Sequence, residues 1–135
     1  MSQGRVLIVE DQPEVRRALT LILMRGGYDV ITAEDGALGI DAIRSGDNPL
    51  MVDAIICDLL MPRVNGTEAI RYFRSEFPTV PIIVLTGHPE VERASWFYEQ
   101  GVLQYLLKPV TAQVLLDTVE EAVNGHELFK DQFVA

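Results

Sequence analysis

The 135-residue chain contains one cysteine, two histidines and two lysines, and these shortages exclude several functions. One cysteine cannot form an internal disulfide bond or a cysteine-ligated metal cluster. A net charge of −9 argues against direct binding of nucleic acid, which requires clustered basic residues. The chain has no apolar run near the roughly 20 residues of a membrane-spanning helix, and its N-terminus lacks the pattern of a signal peptide. We therefore expect a cytoplasmic protein that binds neither nucleic acid nor membrane.

The residues that are present indicate a single folded domain. Hydrophobic residues make up 48% of the chain and charged residues 23%, values typical of a globular protein. A chain of this length can bury a core of its own. The single cysteine, Cys57, lies in a predicted strand, which favours a buried and unreactive thiol.

The segment from Val52 to Gly66 is the most informative part of the sequence. It begins with a short apolar run, Ala54 to Cys57, whose length and β-branched content predict a buried strand. The run ends at Asp58, and the turn residues Pro62 and Asn65-Gly66 follow. A buried strand that delivers a carboxylate to its carboxyl end is typical of an α/β active site.

The apolar pattern along the whole chain predicts five strands that alternate with five helices. The strands are predicted at residues 5–10, 28–33, 54–57, 80–86 and 102–107. Such an alternation implies βαβ units and a parallel sheet covered by helices on both faces. The last helix is predicted to begin after Thr111 and to end at Asn124-Gly125. The residues that follow would form a frayed tail, a helical extension or the start of a linker.

Polar side chains stand at or just after the ends of four predicted strands. They are Glu10 and Asp11, Asp58, Thr86, and Lys108. Because the carboxyl ends of parallel strands share one edge of the sheet, we expect these residues to line a single cleft. Each residue alone has an ordinary structural explanation, such as a helix cap or a surface charge. Their coincidence at one edge favours a functional site.

The predicted cleft suits phosphoryl chemistry. Three carboxylates in one cleft repel each other unless a cation is present. Asp11 and Asp58, with Glu10 nearby, offer the hard oxygen ligands that Mg²⁺ prefers. A carboxylate beside a metal is a feasible nucleophile toward phosphorus and would give an aspartyl phosphate. Lys108 and the Thr86 hydroxyl would stabilise the transferred phosphoryl oxygens.

The ordered set of motifs resembles the receiver domain of two-component response regulators over about residues 5–124. The matching motifs are Glu10-Asp11, Ala-Ile-Ile-Cys-Asp58, Met61-Pro62, Asn65-Gly66, Leu85-Thr86-Gly87, Gly101 and Tyr105-Leu-Leu-Lys108-Pro109. The resemblance implies a single flavodoxin-like (βα)5 domain with a five-stranded parallel sheet of order 2-1-3-4-5. We predict that this domain spans residues 4–124 and that residues 125–135 form a tail or the start of a linker.

The resemblance also implies a role for each site residue. Asp58 would accept a phosphoryl group from a sensor histidine kinase or a phosphotransfer protein. Mg²⁺ would be bound by Asp11, Asp58 and the backbone carbonyl of Leu60, with Glu10 contributing directly or through water. Thr86 and Lys108 would contact the phosphoryl group, and such a domain would not be a turnover enzyme.

The implied output is a conformational switch. Tyr105 would change rotamer as Thr86 moves, and the Lys108-Pro109 peptide bond would be cis. Phosphorylation would bias the face formed by the fourth helix, the fifth strand and the fifth helix. A downstream protein or an output domain would bind this face, and the resemblance also allows a homodimer.

Two positions depart from what the resemblance would favour. Leu60, two residues after the phosphoacceptor, cannot orient an attacking water by hydrogen bonding, so we predict slow autodephosphorylation. His88, two residues after Thr86, is read as a loop or cap residue rather than a catalyst. On the fourth helix, Trp96 is predicted to point outward or along the rim. It is therefore a candidate partner contact, as is Tyr105, although the Trp96 ring could equally lie flat on the domain's own surface.

Three other functions are alternatives to a phosphorylation switch. A degenerate receiver would act only as an interaction module, but all five expected residue types are present. A haloacid-dehalogenase-like phosphohydrolase would place a second acid where Leu60 stands. A flavin-binding module would need a phosphate-binding loop after the first strand, and Glu-Asp-Gln-Pro-Glu would repel a phosphate there.

Overall fold

The computed structural model describes residues 2–59, 61, 64–87 and 91–131. The elements in chain order are β1 Arg5–Val9, α1 Pro13–Arg25, β2 Asp29–Ala33, α2 Gly36–Arg44, α3 Asn48–Met51, β3 Val52–Cys57, α4 Gly66–Glu76, β4 Ile82–Thr86, α5 Val91–Glu99, β5 Gln104–Leu107 and α6 Ala112–Asp131. The predicted alternation of strands and helices is confirmed, with one short helix, α3, in addition.

The five strands form one parallel sheet of order β2-β1-β3-β4-β5, as the resemblance implied. Alternate residues of each strand face opposite sides of the sheet, because the side-chain period of a strand is two. On β1, Leu7 packs on one side and Ile8 on the other. Helices α2, α4 and α5 cover the first side, and α1 and α6 cover the second.

Local signals in the sequence set most helix starts. Pro13 occupies the first turn of α1, where its missing N–H is not needed. Side-chain oxygens of Asp35, Asn65 and Thr111 accept hydrogen bonds of 2.9 to 3.1 Å from backbone N–H groups in the first turns of α2, α4 and α6. These caps fix where each helix leaves the loops at the carboxyl edge of the sheet.

The predicted end of the last helix is wrong. Helix α6 continues through Asn124 and Gly125 to Asp131, so residues 125–131 form a helical extension. The extension packs on the domain, because the buried His126 ring lies 3.0 Å from the Asp53 carboxylate at the start of β3. A tertiary contact therefore overrides the local Asn-Gly signal.

Two further expectations concern the single cysteine and membrane-spanning helices. Cys57 is fully buried in β3, and burial raises the pKa of its thiol, which agrees with an unreactive cysteine. Within residues 2–59, 61, 64–87 and 91–131, no helix has both the length and the apolar character needed to span a bilayer.

Candidate functional site

Three carboxylates meet at the carboxyl edge of the sheet, as predicted. Glu10 and Asp11 follow β1, and Asp58 follows the neighbouring strand β3. One oxygen from each carboxylate lies within 4.8 Å of the others, which is close enough to share one cation. Glu10 and Asp58 are buried and Asp11 is partly exposed, so the cluster opens to solvent on one side.

Backbone contacts hold Asp58 in place. Its N–H donates to the Val9 carbonyl at 2.9 Å, which joins the ends of β3 and β1. Its carboxylate oxygen Oδ1 accepts the N–H of Leu59 at 2.8 Å. Gly66 packs directly against this loop, since a Cβ at that position would lie 1.9 Å from the Asp58 carbonyl oxygen. The Asn65-Gly66 turn is therefore needed to bring α4 close to the loop that carries Asp58.

Lys108 reaches this cluster from the end of β5. Its N–H donates to the Thr86 carbonyl at 2.8 Å, and the Lys108-Pro109 peptide bond that follows is cis, as expected. Its Nζ lies 3.6 Å from Asp58 Oδ2 and is ion-paired with the Glu10 carboxylate. Thr86, the last residue of β4, is fully buried. The structure thus brings together all five polar residues expected at this edge.

The cluster holds three carboxylates, and Lys108 supplies one positive charge beside them. Burial raises the pKa of the Glu10 carboxyl to about 8, the adjacent Asp58 adds to the rise, and Lys108 opposes it. Glu10 Oε2 is buried and has no hydrogen-bond partner among the residues the structure describes. An unpaired buried carboxylate oxygen is costly unless a proton or a cation satisfies it. The hard oxygen ligands and this unpaired atom fit Mg²⁺.

Other predicted site residues are placed less directly. Leu60 and His88 lie outside the described residues. The Leu60 carbonyl ligand, the slow autodephosphorylation and the loop or cap role of His88 therefore stay predictions. On β5, the Tyr105 ring is partly buried and packs 5.9 Å from the Phe97 ring, measured between centroids. Its role as a rotamer switch also stays a prediction.

Trp96 lies on the domain's own surface rather than projecting away from it. The ring is partly buried, makes an edge contact of 4.9 Å between centroids with Phe97, and has the Arg71 guanidinium carbon 5.3 Å from its centre. This placement corresponds to the second of the two alternatives for Trp96, and a partner contact there stays a prediction.

Gln12 lies near the site and was not anticipated from the sequence. Gln12 follows the acidic pair, and its Oε1 lies 3.5 Å from Lys108 Nζ. Its position beside Asp11 was the only available signal, and sequence alone does not give the direction of a loop side chain. Gln12 therefore lies beside the lysine, outside the carboxylate cluster, in a contact longer than a usual hydrogen bond.

Comparisons with known proteins agree with this geometry. The sequence profile described as "Response regulator receiver domain" matches residues 6–120. Protein PilH of Pseudomonas aeruginosa is 33% identical over 124 residues, which cover 90% of this chain and 99% of that protein. A receiver domain structure from Clostridium thermocellum superposes with a TM-score of 0.87 at 28% identity, over 93% of this chain and 98% of that one.

Other relatives are longer proteins. Response regulator MprA of Mycolicibacterium vanbaalenii is 38% identical over 112 residues, which cover 83% of this chain but only 47% of MprA. The chain thus spans about half the length of that relative. From the sheet order, the cluster at its carboxyl edge and the match over residues 6–120, we conclude that this chain belongs to the response regulator receiver domain family of two-component systems.

Proposed function

We propose that this receiver domain accepts a phosphoryl group on Asp58 in a Mg²⁺-dependent reaction. The proposed donor is the phosphohistidine of a sensor histidine kinase or of a phosphotransfer protein in the cytoplasm. The observation that carries the proposal is the carboxylate cluster of Glu10, Asp11 and Asp58, with Lys108 Nζ 3.6 Å from Asp58. We infer a signalling role rather than the turnover of an external substrate.

The chain's own residues supply most of the chemistry. A carboxylate oxygen of Asp58 attacks the phosphorus, the new O–P bond forms as the P–N bond to the donor imidazole breaks, and the imidazole leaves with the electron pair. Lys108 Nζ lies 3.6 Å from Asp58 Oδ2 and would balance negative charge on the transferred group. Thr86 stands at the end of the adjacent strand β4, where its hydroxyl would donate a hydrogen bond to that group.

The metal would be held by the carboxylates of Asp11 and Asp58, with Glu10 and the Leu60 carbonyl as further ligands. When bound, Mg²⁺ would neutralise charge on the attacking carboxylate and on the phosphoryl oxygens. Glu10 would have to exchange its ion pair with Lys108 for the metal or for a bound water. Lys108 would then be free to turn toward the phosphoryl group.

The proposed output surface is formed by α5, β5 and α6, which correspond to the fourth predicted helix, the fifth strand and the fifth predicted helix. Three large side chains on these elements are roughly half exposed: Tyr98 at 46%, Leu107 at 49% and Val114 at 44%. Tyr105 lies on the same strand as Leu107 and packs inward on Phe97 of α5. A change at Thr86 would therefore be passed to this face through Tyr105, for recognition by a downstream protein, an output domain or a second copy.

The proposal is tested by the intact mass of the protein after incubation with Mg²⁺ and acetyl phosphate. We expect one phosphoryl adduct that requires Mg²⁺ and is absent from Asp58→Asn. A folded wild-type protein that binds Mg²⁺ but gains no mass would indicate a degenerate receiver that acts only as an interaction module. An adduct that persists in Asp58→Asn would show that the nucleophile is a different residue.

The lifetime of the phosphoryl adduct tests the interpretation that Leu60 makes autodephosphorylation slow. An apolar side chain two residues after Asp58 cannot position a water for attack, so we expect slow loss of the phosphoryl group. Replacing Leu60 by Asn should shorten the half-life, measured by intact mass after acetyl phosphate is removed. An unchanged half-life in Leu60→Asn would contradict this interpretation.

A further inference from the structure

The guanidinium group of Arg16 contacts the loop that carries two of the site's carboxylates. Arg16 lies one turn into α1, and its Nη1 donates to the Glu10 carbonyl at 2.8 Å and lies 3.4 Å from the Asp11 carbonyl. The side chain is 19% exposed, whereas its other partner, Glu34, is 71% exposed and 3.9 Å away. The loop contact is therefore the stronger of the two.

The two carbonyls need a partner that the sheet does not provide. The chain leaves β1 after Val9, and the N–H of Glu10 still donates to the Ala33 carbonyl at 3.0 Å. The carbonyls of Glu10 and Asp11 lie beyond the paired strand residues, and helix α1 begins only at Pro13. Helix side chains tilt toward the helix N-terminus, so a basic residue one turn into α1 reaches back over this loop.

From these contacts we propose that Arg16 is a positioning residue for the Mg²⁺ site, an inference that rests on the proposed metal binding. Its cation bonds to backbone oxygens and fixes the loop conformation from which the Glu10 and Asp11 carboxylates project. The Ala33 carbonyl holds the N–H side of Glu10, and Arg16 holds its carbonyl side. Arg16 touches neither carboxylate in these contacts, so it acts through the backbone.

Loss of a positioning residue and loss of a repelling charge would change the affinity for Mg²⁺ in opposite directions. A cation near the site repels Mg²⁺, so removing it should strengthen metal binding if charge alone mattered. A positioning residue instead lowers the cost of ordering the ligands, so removing it should weaken metal binding. The sign of the change in affinity therefore separates the two explanations.

The experiment is a calorimetric titration of Mg²⁺ alone into the unphosphorylated 135-residue chain. We expect Arg16→Ala to raise the Kd for Mg²⁺ roughly tenfold, the lower end of what loss of a supporting contact costs a metal site. Arg16→Lys should recover part of the loss, since one ammonium can reach one carbonyl. The matched control is Arg17→Ala, which removes the same charge from the exposed neighbour and should not weaken binding.

Amide hydrogen exchange without metal gives a second measurement. In Arg16→Ala, the amide of Glu10, which donates to the Ala33 carbonyl at 3.0 Å, should exchange faster than in wild type, whereas Arg17→Ala should leave its exchange unchanged. An Arg16→Ala variant with a lower unfolding midpoint but an unchanged or tighter Kd would overturn the inference and leave the proposed function intact. A wild-type protein that takes up no Mg²⁺ would overturn both.

Discussion

The pKa values of two buried acids, Glu10 and Asp53, are shifted in opposite directions because their surroundings differ. At the carboxyl edge of the sheet, burial and the adjacent Asp58 raise the pKa of Glu10 to about 8. At the opposite edge, the Asp53 carboxylate accepts the Arg5 N–H at 3.1 Å and lies 3.0 Å from His126 Nδ1 and 3.1 Å from Lys130 Nζ. One acid is left available for a cation, and the other is fully used in holding the fold.

We predict that Asp53 stabilises the protein at neutral pH and not in acid. Burial alone would raise the pKa of this carboxyl, but hydrogen bonds from His126 and Lys130 leave it below its ordinary value of 3.8. A lowered pKa gives stability that is present above that value and is lost as the pH falls through the folded-state pKa. Asp53→Asn should cost about 1–3 kcal/mol at pH 7, and the difference from wild type should shrink below about pH 4.

Urea unfolding of both proteins between pH 3 and pH 7 measures this difference. The control is Asp41→Asn, which removes the same charge from an exposed position on α2 and should show no comparable loss. A gap between wild type and Asp53→Asn that stays constant across this range would mean that the charge of Asp53 does not contribute.

At the scale of elements, the last helix shows where local sequence signals fail. Asn124-Gly125 is a common helix end, and the sequence therefore predicts one there. In the structure Gly125 lies inside α6, and the helix continues for six more residues that include the contacts of His126 and Lys130 with Asp53. His126 and Lys130 are 73 and 77 residues away from Asp53 in the chain, so no local pattern reveals these contacts.

The Gly125→Ala substitution tests whether α6 is continuous. A Cβ at Gly125 would meet nothing within 4 Å, and alanine is the better residue inside a helix. We expect the free energy of unfolding to rise by up to about 1 kcal/mol. Gly46→Ala is the matched control, because that site is equally open but has a φ of +57°, which strains alanine. A loss of stability in Gly125→Ala would indicate that the helix ends before this residue.

At the scale of the whole molecule, topology explains why the site was predictable and its supports were not. Parallel strands end at one edge, so Glu10, Asp11, Asp58, Thr86 and Lys108 could be placed together from sequence order alone. The supports depend on distances between side chains and backbone that no spacing encodes. They include the approach of Gly66 to Asp58, the reach of Arg16 to the Glu10 carbonyl and the lysine contact of Gln12.

The same convergence concentrates negative charge in an already acidic protein, with a net charge of −9. Three carboxylates share one small cluster, and Lys108 is ion-paired with only one of them at short range. Such clusters trade stability for function, because each acid repels the others until a cation is bound. The stability of the whole domain should therefore depend on Mg²⁺.

We predict that Mg²⁺ raises the unfolding free energy of the wild-type protein by about 2.7 kcal/mol at a concentration one hundred times its Kd. Asp11→Asn should lose most of this gain, because it removes one of the proposed ligands. Without metal, the variant should be at least as stable as wild type, because it removes one of three repelling charges.

Thermal unfolding with and without Mg²⁺ measures both effects, with Ca²⁺-free buffer and matched ionic strength to separate binding from screening. If Asp11→Asn kept the full Mg²⁺ gain, the metal would bind elsewhere; if it were less stable without metal, Asp11 would be a structural residue.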